Sequence, residues 1–148
     1  DLYTSYKAKQ AEFDKESTDG ADKVSSFYAE MDKNYSKVDA VLRALSKLVD
    51  SGYIVTLEFR GYTSPLASET YNKQLSERRI SSIINFIEGR LGDNFKVLAK
   101  SAMAIPFGES MSPKDISDNK KDRSKSVYGV AASKQRKVEI VGLRIEKP

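Results

Sequence analysis

The run GYTSPLASETYNKQLSERR, residues 61–79, decides the fold. Just before it, Tyr53, Val55, Leu57 and Phe59 alternate with Thr56, Glu58 and Arg60, the period-two pattern of a half-buried strand. Pro65 then interrupts regular structure, Ser68 is suited to cap a helix, and Glu69 falls in its first turn. Leu75, Ile80, Ile83, Ile84, Ile87 and Leu91 follow at helical spacing until Gly89 and Gly92 wind the helix down. Strand, tight polar loop and amphipathic helix in this order aim the backbone N–H groups of residues 64–70 and the Arg79 guanidinium at one patch of solvent. That geometry suits capture of a carboxylate.

Upstream, Val24, Phe27, Met31, Tyr35, Val38, Leu42, Leu45 and Val49 recur every three or four residues and predict one long helix over 21–50, closed by Ser51 and Gly52. Leu2, Tyr3, Tyr6, Gln10 and Phe13 predict a shorter helix over 1–17, with Ser17 to Gly20 as the break. Downstream, Phe95, Val97 and Ala99 predict a second strand that runs to Met103, and residues 104–123, with Pro106, Gly108 and Pro113, read as a long loop. Residues 124–133 read as a short helix or turn. A third strand is expected over 137–145. Its parity changes, with Val138 and Ile140 on one face and Val141, Leu143 and Ile145 on the other, which calls for a bulge or burial on both faces. The fold class is therefore α/β, an α+β sandwich with a small mixed sheet packed against long helices. One domain is expected over 1–148, helical in 1–52, with the motif-bearing core in 53–148.

Composition narrows the function. The 25 basic and 21 acidic residues leave a net charge of +4, too mild and too dispersed for a nucleic-acid partner. The densest basic run, Lys114 to Lys125, is diluted by Asp115, Asp118 and Asp122 and reads as a solvated loop. No apolar run approaches the roughly 18–20 residues that span a bilayer, so no direct membrane insertion is expected. The chain has no His and no Cys. Ser-His and Cys-His nucleophiles, disulfides and the usual zinc sites are thereby excluded. Asp115, Asp118, Asn119 and Asp122 depart from calcium-loop spacing and lack its central glycine. No catalytic residue, metal or cofactor is expected, and the chain reads as a non-enzyme.

Gly61-Tyr62-Thr63-Ser64, Asn72, Leu75-Ser76, Arg78-Arg79 and Arg136-Lys137-Val138-Glu139-Ile140, in that order, resemble the OmpA-like C-terminal peptidoglycan-binding domain over roughly residues 53–145. The variant Ser64-Pro65-Leu66-Ala67, with Ile105-Pro106-Phe107-Gly108-Glu109 and Ser126-Val127-Tyr128, is similar to the divergent Bacteroidetes branch of that family. In that branch the domain often ends an outer-membrane lipoprotein, as in the type IX secretion system. The resemblance implies a periplasmic, non-catalytic module that binds the diaminopimelate-bearing stem peptide of peptidoglycan and joins other envelope or secretion-system proteins to the wall. It also implies a site made of Thr63, Ser64, Pro65, Leu66, Ala67, Asn72, Leu75, Arg79 and Arg136, with Arg79 clamping the free carboxylate. The family's first strand is missing or displaced, since residues before Tyr53 read as helical: either the sequence begins after that strand or the N-terminal part is remodelled. The opening at Asp1, with no leader pattern, is read as that of a mature fragment or an excised domain.

Ser64 stands where the family carries the aspartate that holds the ligand's ammonium. A charge-assisted bond of about 1.5–3 kcal/mol is replaced by a neutral one of about 0.5–1.5 kcal/mol, which weakens binding about 5- to 30-fold unless loop carbonyls or Glu69 compensate. Recognition is expected to be retained but altered. Read without the resemblance, Arg78 and Arg79 form a solvated helix face, Thr63 to Pro65 a turn and cap, and Arg136 an edge charge; Tyr62 and Leu75 read as core in either case. The alternative function is a protein-interaction domain of the same fold that has lost the wall ligand and docks through the 21–50 helix and the 104–123 segment.

Overall fold

A central strand flanked by one parallel and one antiparallel neighbour organises the molecule. A computed structural model describes residues 4, 5, 8, 20–65, 67–93, 95–96, 102–114 and 130–147. Its elements are α1 (Gly20–Asp50), β1 (Ile54–Tyr62), α2 (Glu69–Leu91), β2 (Met103–Gly108), the short α3 (Val130–Gln135) and β3 (Val138–Glu146). Among the described residues the sheet order is β2-β1-β3, with β1 parallel to β2 and antiparallel to β3. The parallel β1–β2 pair needs a crossover, and α2 supplies it. This is the mixed α+β architecture that the pattern predicts.

The alternation in β1 puts Val55, Leu57 and Phe59 on the buried face. There they pack with Leu42 and Leu45 of α1, Ile80 and Ile87 of α2, and Phe95. Phe95 reaches the core from a helical turn and not from the expected strand. The second strand instead occupies 103–108, where a loop is expected, and residues 97–101 lie outside the described set. Pro106 misleads because it cannot donate to a ladder, yet β2 pairs only with β1 among the described residues, and an edge strand tolerates it.

α1 stops where expected: Gly52 takes φ 84°, and the Tyr53 N–H returns to Leu48 O at 3.0 Å. Tyr28, Leu42 and Leu45 are buried, while Met31, Tyr35 and Val38 of the predicted apolar stripe stay exposed. The cause is length. A 31-residue helix extends about 46 Å, whereas a 9-residue strand extends about 30 Å, so the sheet cannot cover it. Beyond the sheet, α1 meets α2 through a polar bridge: Arg90 donates to the Tyr35 hydroxyl (3.2 Å) and pairs with Asp39 (2.9 Å), which also pairs with Arg43 (2.9 Å). The Arg43 hydrogen bond, aided by Arg90, holds the Asp39 carboxyl below the usual range. Any stabilisation from this bridge is present at neutral pH and disappears as pH falls through that lowered value.

The parity change in the third strand is a bulge. Glu58 pairs with Val141 but Thr56 with Arg144, a register shift that leaves Val138 and Ile140 opposite Gly61 and Phe59 and brings Ile145 opposite Val55. Of the 1–17 segment only Thr4, Ser5 and Ala8 are described, all three helical; α3 falls at the end of the predicted 124–133 element, and residues 115–129 lie outside the described set.

Two glycines press the sheet onto α2. A Cβ on Gly61 would stand 2.8 Å from Ser76 O and 3.0 Å from the Ile80 side chain. Gly108, at φ 59°, would bring one to 3.0 Å from the Lys73 nitrogen. Gly61→Ala is expected to cost about 1–3 kcal/mol through overpacking, and Gly108→Ala a further 1–2 kcal/mol for its left-handed backbone. Gly89, in the last turn of α2 with nothing within 4 Å, is the contrast: alanine there is expected to stabilise by about 0.5–1 kcal/mol. Urea unfolding of the three variants tests this, and equal midpoints would contradict it.

Candidate functional site

The loop after β1 is tied into the fold at every described turn. The Tyr62 N–H donates to Lys137 O (2.9 Å) at the start of β3, and the Thr63 N–H donates to Gly108 O (2.8 Å) at the end of β2. Ser112 Oγ donates to Thr63 O at 2.9 Å. Ser68 then caps α2 as expected, with extended φ and ψ and its hydroxyl accepting from the Tyr71 N–H at 3.4 Å. The Tyr71 N–H is thus taken by the cap and the Asn72 N–H by Ser68 O (2.9 Å), which leaves the Glu69 and Thr70 N–H groups of the first turn without an intrahelical partner.

The first half of α2 buries polar residues against this loop. Asn72, Ser76 and Ile80 recur at i, i+4 and i+8, and all three are buried. The Asn72 Nδ2 donates to Ala67 O (3.1 Å) and to the Glu109 carboxylate. Ser76 Oγ donates to Lys73 O (2.7 Å) and accepts from the Gly108 N–H (3.3 Å).

Two guanidiniums converge on Tyr62 to Ser64. Arg79 Nη1 donates to Tyr62 O at 2.9 Å, across 17 residues, and Arg136 Nε donates to Ser64 Oγ at 3.2 Å, across 72. Thr63, which lies between Tyr62 and Ser64 in sequence, is 1% exposed, and its Oγ1 is buried with no hydrogen-bond partner among the described residues. Ser64 is 4% exposed. Arg78 parts from its neighbour: its guanidinium lies 5.5 Å from the ring centroid of the exposed Tyr71. The Tyr62 side chain is held away from this cluster, its ring stacked on Phe107 (5.4 Å, 18°) with Lys137 Nζ 5.1 Å from the centroid. Burial, aided by a hydrogen bond with Glu139, raises the Tyr62 phenol above its ordinary pKa, while Lys137 lowers the Glu139 carboxyl. At neutral pH the first is uncharged and the second ionised.

Of the residues expected at the site, Thr63, Ser64, Asn72, Arg79 and Arg136 are joined directly to the loop or form part of it. Ala67 takes part through its carbonyl, and Pro65 is half-buried in the loop itself. Leu75 is half-buried, and the buried row of the helix runs through Ser76 beside it. Leu66 lies outside the described residues, as do Asp115, Asp118, Asn119 and Asp122 of the calcium reading. Sequence reading assigned no role to Glu109 or Ser112. Both sit on the turn after β2, in the segment expected as loop; Glu109 enters the sequence reading only as the last residue of Ile105-Pro106-Phe107-Gly108-Glu109, with no site role.

The chemistry available is recognition of charge: two fixed cations, a buried hydroxyl and one carboxylate around a rigid loop. Among the described residues no group of three or more Asp or Glu is arranged to hold a metal ion. No protein-family model, curated protein or solved structure matches the chain.

Proposed function

We propose that this chain is a non-catalytic, OmpA-like module of the divergent Bacteroidetes type. It binds the free carboxylate end of a diaminopimelate-containing peptidoglycan stem peptide and anchors an outer-membrane assembly, of the type IX secretion kind, to the wall from the periplasm. The observation that carries the reading is the convergence of Arg79 and Arg136 on Tyr62 to Ser64, beside the unpartnered Thr63 hydroxyl. Asn72 and Ser112 hold the loop in place before binding, so little ordering opposes association. The partners proposed are peptidoglycan and envelope proteins. No helix is long and apolar enough to cross a membrane among the described residues.

Isothermal titration calorimetry against the stem tripeptide ending in meso-diaminopimelate tests the reading. Saturable heat is expected. No heat from a sample with an intact unfolding transition would sink it. A second reading, a protein-interaction domain of the same fold, then takes its place, favoured by the exposed Met31, Tyr35, Val38 and Val41 on α1 and Phe86 on α2.

A further inference from the structure

We infer that Glu109, and not any residue of the 63–68 loop, is the acceptor for the ammonium group of the ligand; the inference rests on the stem-peptide reading above. The loop itself has no carboxylate. Ser64, at the position the resemblance assigns to an acid, is neutral, buried, and already accepts a hydrogen bond from Arg136. The carboxylate nearest to the loop in the hydrogen-bond network arrives from the other side of the site. One amide nitrogen, Asn72 Nδ2, donates both to Ala67 O in the loop and to Glu109 Oε2, so the Glu109 carboxyl lies within the span of a single amide from the loop backbone.

Its position is fixed from both directions. Gly108, just before it, has its N–H on Ser76 Oγ and its carbonyl on the Thr63 N–H. Just after it, the Ser112 N–H donates to Glu109 O at 2.8 Å, and Ser112 Oγ returns to Thr63 O. Glu109 is half-buried and forms no ion pair among the described residues; its Oε1 takes no hydrogen bond there. A half-buried carboxylate held by a neutral amide is left with its charge uncompensated, and a cation is the partner that completes it. Glu69, the other acid close in sequence, is exposed in the first turn of α2, where the helix N-terminus already favours its charge. The roles are thus divided: the guanidiniums of Arg79 and Arg136 for the carboxylate, Glu109 for the amine. That division fits an α-amino acid end in zwitterionic form.

The test compares two peptides by calorimetry: the stem tripeptide ending in meso-diaminopimelate, and the same tripeptide ending in 2-aminopimelate, which lacks only the free amine. The wild-type chain is expected to prefer the amine-bearing peptide by about 10-fold or more, the worth of one charge-assisted bond. Glu109→Gln keeps a carbonyl oxygen for Asn72 and removes only the charge. It is expected to lose that preference, binding the diaminopimelate peptide about 10-fold more weakly and the aminopimelate peptide as the wild type does. A merely structural role would weaken both peptides together. Undiminished preference in Glu109→Gln overturns the assignment and leaves the stem-peptide reading standing, as does equal binding of both peptides by the wild type. Binding of neither peptide by the wild type overturns both.

Discussion

Replacing Phe59 by alanine is expected to cost about 3–5 kcal/mol, close to the whole stability of an average domain at its lower end. Phe59 has no exposed surface and sits at the middle of the central strand. Its ring packs in the cluster that joins α1, through Leu42 and Leu45, to α2, through Ile80 and Ile87. Removing it deletes apolar burial and also leaves a cavity, because β1 is held on both sides and cannot collapse inward. Urea unfolding followed by far-UV circular dichroism is expected to show the midpoint falling by a third or more with the slope kept, as a roughly unchanged slope marks lost stability and not a changed denatured state. Met31→Ala is the control: the residue is exposed on the overhanging part of α1, and a change within about 0.5 kcal/mol is expected. A Phe59→Ala variant within 1 kcal/mol of the wild type would mean that this cluster is not the core.

The parts of the fold that sequence reading captured are those whose evidence is local. The alternation from Val55 to Phe59, the Ser68 cap and the parity change at Val141 each lie within a few residues, and each has its counterpart in β1, α2 and the β3 bulge. The failures are non-local. Whether Met31, Tyr35 and Val38 are covered depends on how far the sheet extends beneath α1, which no helical periodicity encodes. β2 was misplaced because Pro106 and Gly108 carry loop signals, and only the pairing with β1 makes an edge strand of that segment. Phe95, apolar and aromatic, was read as a strand residue and is buried from a helical turn.

The candidate site divides in the same way. The backbone at Ser64 and the Arg79 guanidinium are legible because loop and helix are contiguous, whereas Asn72 enters through the resemblance. Arg136 is 72 residues from Ser64 and was reachable only through the resemblance. Glu109 is 37 residues from Asn72 and arrives on a strand that sequence reading did not place, so its approach to the loop had no local trace. The buried polar row of α2 shows why the apolar stripe began one residue off. Ser76 is buried because its hydroxyl is satisfied within the helix and by Gly108, while Leu75 beside it is only half-buried.

Arg79→Ala is expected to weaken binding of the diaminopimelate stem peptide about 30-fold or more, because removing one member of a desolvated charge pair costs roughly 2–5 kcal/mol. The fixed position of the guanidinium is the reason for so large an effect. Its Nη1 is bonded to Tyr62 O, which itself is pinned by the Lys137 carbonyl through the Tyr62 N–H, so the fork is held at the loop before a ligand arrives. Arg79→Lys retains the charge but not the planar pair of donors, and an intermediate loss is expected. Arg136→Ala is expected to weaken binding less than Arg79→Ala, since its bond to Ser64 is to a neutral hydroxyl. Loss of the Tyr62 contact in Arg79→Ala also removes about 1.5–3 kcal/mol of stability, so the unfolding transition is measured on the same sample. A folded Arg79→Ala protein that binds the peptide within about threefold of the wild type, a difference below 1 kcal/mol, would remove Arg79 from the site and with it the carboxylate clamp.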